Sequence, residues 1–78
     1  MTREDFRERM IKRPFQPFTV IMADGQRIPV WNQEYVMMSP TRRTASVYQR
    51  DGRLDIIDLL LVTALEVEGP IEAGAQGS

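Results

Sequence analysis

Leu54-Asp55-Ile56-Ile57-Asp58-Leu59-Leu60-Leu61-Val62-Thr63-Ala64-Leu65-Glu66-Val67 is the stretch on which the fold turns. Read at helical spacing, Leu54, Ile57, Leu61 and Leu65 share a face, with Asp55, Asp58 and Glu66 directed away from it. Read as strands, the same residues divide into two short runs around a turn at 58–60. The residues just upstream favour the second reading. Asp51-Gly52 is a hairpin signal, and it folds Arg53–Ile57 back antiparallel onto the run before it. The spacing therefore predicts strand, tight turn and a last strand over 62–67, with a helix as the alternative that periodicity leaves open.

Working outward, Thr44–Gln49 alternates Ala45 and Val47 against Ser46 and Tyr48, the pattern of a half-exposed strand. Before it, Ser39-Pro40-Thr41-Arg42-Arg43 is a polar connector with two adjacent guanidiniums, and Tyr35–Met38 reads as a short strand. A second hairpin signal, Asp24-Gly25, separates Phe18–Ala23 from Gln26–Trp31 and predicts a two-residue turn with positive φ at both positions. Phe18–Ala23 is apolar on both faces and belongs at the centre of the sheet. Gln26–Trp31 turns Ile28 and Val30 inward, and Pro29, which has no N–H for a ladder, argues for an edge or a bulge. At the N-terminus, Thr2 followed by Asp5 reads as a helix start. That helix runs to about Lys12 with Phe6 and Met10 on one face, and Pro14 and Pro17 stop it.

The chain has 78 residues, no Cys and no His, so thiolate and imidazole chemistry is excluded. A core this small supplies about 3–5 kcal/mol of net stability, and association is the remaining way to add to it. Absent Cys fits a reducing compartment, and no apolar run approaches membrane-spanning length, so a cytoplasmic protein with no membrane partner is expected. Net charge is only −1 but unevenly spread. Residues 1–53 hold ten basic and six acidic side chains, a balance of +4, and residues 54–78 hold no basic and five acidic ones, a balance of −5. The two parts attract, within one molecule or between neighbours; the plainer reading is a basic face and an acidic face without a function. A single domain over residues 1–68 is expected, with a Gly-, Ala- and acid-rich disordered tail over 69–78.

The expected class is α+β, mainly β: an N-terminal helix followed by a curled five- or six-stranded antiparallel sheet or small barrel. This outline resembles SH3-like small barrels and their Sm-like subset over residues 3–67. Arg13-Pro14-Phe15-Gln16-Pro17-Phe18, with Asp24-Gly25 and the later Asp58-Leu59-Leu60-Leu61, also looks like a group of small uncharacterised bacterial proteins. The Sm-like resemblance implies rings made by edge-strand pairing and RNA bound within them. Two features depart from it: no glycine lies between Gln26 and Trp31, and the last two strands carry Asp55, Asp58 and Glu66 where a basic RNA motif would stand.

Four residues are candidates for contact with an anion or a partner. Arg42 and Arg43, beside Thr41 and Thr44, form a set of guanidinium forks and hydroxyls that suits a phosphate; the alternative is a charged, solvated loop tip. Trp31 and Tyr48 offer stacking surfaces, or else pack beneath the helix with Phe6, Phe15 and Phe18. Asp55 and Asp58 are the only close carboxylates in an apolar run and read as solvated charges. No nucleophile–base spacing, phosphate-cradling glycine loop or metal-ligand cluster is present, so a non-catalytic module without a cofactor is expected. It would bind itself or another protein. RNA or other nucleic acid, read by Arg42, Arg43, Arg3, Arg7, Arg9 and Arg13, is the alternative partner and is disfavoured by a pI near 5.3.

Overall fold

The computed structural model describes residues 1–67, and the expected tail over 69–78 lies outside them. Helix α1 (Arg3–Ile11) is followed by β1 (Phe18–Met22), β2 (Arg27–Val30), a 3₁₀ turn (Gln33–Tyr35), β3 (Val36–Met38), β4 (Thr44–Tyr48), β5 (Leu54–Asp58), a second 3₁₀ turn (Leu59–Leu61) and β6 (Val62–Val67). The Thr2 hydroxyl accepts from the Asp5 amide at 3.1 Å and so caps α1, which buries Phe6 and Met10.

The deciding stretch is strand, 3₁₀ turn, strand. Asp58 ends β5: its carboxylate accepts from the Leu60 amide at 2.9 Å and bends the chain out of the ladder. Of the three leucines that follow, only Leu59 is buried, whereas a core-facing helix would have directed residues three and four apart inward.

Both Asp-Gly turns differ from the expected type. Among the described residues only Gly25 and Gly52 have positive φ, 90° and 91°. The Gly25 amide donates to the Met22 carbonyl at 2.9 Å while Met22 itself bonds Gln26, so the loop is Ala23-Asp24-Gly25. Gln49, Gly52 and Arg53 repeat this pattern around Arg50-Asp51-Gly52. A three-residue loop of this kind needs a single left-handed residue, which glycine supplies without a Cβ penalty. Asp24 and Asp51 serve it differently, each accepting from the amide two residues on at 2.9 Å.

The six strands form two three-stranded antiparallel sheets, ordered β2-β1-β6 and β3-β4-β5, not one continuous sheet, and neither is closed into a barrel. The break falls between β2 and β3, where the Asn32 side chain accepts from the Glu34 amide and winds Gln33–Tyr35 into a 3₁₀ turn. As expected, β1 is central, and Pro29 sits on an edge strand. Phe6, Met10, Phe18, Val20, Met22, Ile28, Val30, Ala45, Val47, Ile57, Leu59 and Val62 form one core that α1 and both sheets share.

Gln49, buried at the end of β4, joins the sheets. Its amide nitrogen donates to the Pro29 carbonyl of β2 at 3.2 Å and to Asp55 of β5 at 3.1 Å, and its oxygen accepts from the Trp31 indole at 3.3 Å. The Pro29 carbonyl is available because the Thr19–Pro29 pair is the type whose backbone groups point away from β1.

Candidate functional site

The connector between β3 and β4 is ordered by one hydroxyl. Ser39 Oγ accepts from the Arg42 amide at 3.0 Å and the Thr41 amide at 3.4 Å, and the Ser39 carbonyl accepts from Arg3 of α1 at 2.7 Å. Arg43 Nε donates to Asp58 Oδ1 at 2.8 Å. Arg3, Thr41, Arg42, Arg43, Thr44 and Asp58 thereby line a cleft of about 580 Å³. The guanidiniums anticipated on the loop are joined by one from the helix and by a carboxylate that neutralises part of their charge.

The hydrogen bond from Arg43, and next that from the Leu60 amide, holds the Asp58 carboxyl below its ordinary value, and Arg43 is shifted upward by the same contact. The unfolded chain binds the Asp58 proton more readily, so the stabilisation is complete above about pH 4 and is lost as pH falls through the lower folded value. Asp58→Asn should therefore lower the urea midpoint relative to the parent chain at pH 6, and the two midpoints should converge near pH 2. A difference that stays constant with pH would contradict this assignment. The pair is solvent-exposed and its effect is modest.

Trp31 and Tyr48 do not lie beneath the helix. There Phe18 meets Phe6 edge-on at 6.0 Å and Phe15 at 5.9 Å. Trp31 lies beyond the opposite end of β4, held by Gln49, with the Arg50 guanidinium 4.0 Å above its ring, so one stacking face is already covered. Thr44 and Tyr48, at the two ends of β4, are four residue steps apart, roughly 14 Å at the usual rise. The structure thus does not bring the arginine pair and the aromatic pair into one site.

Tyr48 belongs to a different surface. Register pairs Met37 with Ser46, Ser46 with Ile56 and Tyr48 with Leu54, all on the outer side of the β3-β4-β5 sheet. Met37 is 70% exposed, Ile56 69%, Tyr48 50% and Leu54 44%. The remaining outward residues are Ser46, Thr44 and Asp58, the last paired with Arg43. On the free side of β5, the backbone groups of Leu54, Ile56 and Asp58 point away from β4, because Gln49–Arg53 and Arg43–Leu59 fix which pairs are bonded. Sequence reading missed Met37, Leu54 and Ile56. The three-residue loop sets Ile56 opposite the outward Ser46, whereas the two-residue turn expected from Asp51-Gly52 would have set it opposite the inward Val47.

Two of the three ion pairs among the described residues, Arg27–Glu66 and Arg43–Asp58, join the basic and acidic parts of the chain within one molecule. Among those residues no helix is long and apolar enough to cross a membrane. Compared with protein-family models, curated proteins and solved structures, the chain finds no match.

Proposed function

We propose that this domain is a non-catalytic oligomerisation module of SH3-like or Sm-like architecture whose outer β3-β4-β5 face packs against a second copy of the chain. The architecture is supported by the chain path: only residues 31–35, ending in a 3₁₀ turn, separate β2 from β3, and after another 3₁₀ turn β6 returns beside β1. The function rests on the face formed by Met37, Tyr48, Leu54 and Ile56, which is apolar, exposed and free of unpaired charge. Interface centres are depleted of charge and enriched in Tyr and Met, and a two-fold axis brings the same patch of two copies together. A second copy fits better than a charged partner because the face presents no unpaired charge of its own. The β5 edge borders the face and adds backbone donors and acceptors at its margin.

Light scattering at micromolar concentration should report two or more chains per particle. Ile56→Lys places a charge within the face and on an edge strand, where lysine blocks pairing. It should yield a single-chain particle with an unchanged circular dichroism spectrum. A parent chain that is monomeric at every concentration, or a folded Ile56→Lys variant that keeps the larger mass, would overturn the proposal. RNA binding is the less favoured reading, since Arg50 covers Trp31 and Asp58 partly neutralises the arginine cleft.

A further inference from the structure

Arg3 lines two clefts at once. One is the arginine cleft on the β3–β4 connector; the other, about 470 Å³, runs between α1 and the segment from Gln33 to Met38. The first offers cations and hydroxyls, and the second offers the apolar Met10, Ile11, Val36 and Met38 beside the polar Arg7, Gln33 and Glu34. Their volumes lie in the range of small-molecule sites. We propose that together they bind a small phosphate monoester carrying an apolar substituent, its phosphoryl group held by Arg3, Arg42 and Arg43 and its apolar part lying along Met10, Val36 and Met38.

The guanidiniums are partly prearranged for this. Arg3 uses one nitrogen on the Ser39 carbonyl and Arg43 uses Nε on Asp58, which orients both and leaves further N–H donors on each. The Arg42 guanidinium makes no hydrogen bond within the described residues, while its backbone amide is fixed by Ser39 Oγ. Three guanidiniums against one carboxylate leave a net positive cleft that suits a dianion, and the Thr41 and Thr44 hydroxyls line the same space. A polynucleotide fits less well. The next arginines along the β4–β5 sheet, Arg50 and Arg53, lie at its far end, and between them and the cleft the outer face is neutral and apolar. Along that sheet no continuous basic track leads away from the cleft for a phosphate backbone to follow, and on the side of α1 only Arg7 adjoins Arg3 in the second cleft.

Amide and methyl NMR shifts of the full chain would be followed during titration with inorganic phosphate, octyl phosphate, octanol and an oligoribonucleotide lacking terminal phosphate, all at one ionic strength. Inorganic phosphate should shift Thr41–Thr44 and Arg3. Octyl phosphate should shift these together with Met10, Val36 and Met38, and bind at least tenfold more tightly than inorganic phosphate or octanol. Arg3→Gln with Arg42→Gln should weaken octyl phosphate at least tenfold while the particle mass is unchanged, which separates this site from the oligomerisation face. Octanol binding as tightly as octyl phosphate, shifts confined to other parts of the surface, or a tighter response to the oligoribonucleotide would each overturn the proposal.

Discussion

Phe18→Ala is expected to leave the domain largely unfolded at 25 °C. Phe18 is fully buried on the central strand β1, edge-on to Phe6 and tilted against Phe15, so it ties the helix and its connector to the first sheet. Truncating a buried phenylalanine costs about 3–5 kcal/mol through lost transfer energy and the cavity left behind. A core of this size supplies about the same total, so little or nothing remains. Urea titration followed by circular dichroism should show no folded baseline. A cooperative transition within about 1 kcal/mol of the parent would mean that β1 is not the centre of the core.

The second large effect is expected at Gln49, where one side chain answers three polar groups from both sheets. Gln49→Glu keeps the shape and the acceptor for Trp31 but removes both donors. The Pro29 carbonyl loses its partner, and a new carboxylate faces Asp55 across a hydrogen-bond distance. Leaving a buried acceptor unsatisfied costs about 1–3 kcal/mol, and like-charge contact adds to it. The introduced carboxyl should hold its proton more tightly in the folded state than in the unfolded one. Stability of the variant should therefore rise, relative to the parent, as pH falls from 7 through the carboxylate range. A loss independent of pH would show that this side chain does not face Asp55.

The hairpins were legible because their causes are local. Asp-Gly places a left-handed residue where only glycine sits without strain, and this settled strand over helix for Leu54–Ile57 despite a helical spacing of leucines. The exact turn was not legible. Two-residue and three-residue loops share the Asp-Gly signature, and the choice depends on whether Met22 pairs with Gln26, a tertiary matter. The division into two sheets was hidden for a similar reason. Asn32 reads as one more loop residue until its side chain is seen to cap Gln33–Tyr35 and interrupt the ladder.

At the candidate surfaces, the composition of the arginine loop was visible, but not the addition of Arg3, which needs α1 to pack beside Ser39. Trp31 and Tyr48 attracted notice as aromatics, yet one lies under Arg50 and the other joins an exposed apolar face. Side-chain type alone cannot report that difference, because burial is set by which face of a strand meets the core. Ile56 makes the point most clearly. It sits between Asp55 and Ile57 in an apolar run that reads as core, and strand alternation sends it outward opposite Ser46.

Isotope-filtered NMR on a mixture of labelled and unlabelled chains tests most directly the proposed meeting of two copies through the outer β3-β4-β5 face. The predicted result is a set of intermolecular contacts linking Met37, Tyr48, Leu54 and Ile56 of one chain to the same residues of its partner. Intermolecular contacts confined to α1, β2 or β6 would contradict it, as would their complete absence at millimolar concentration.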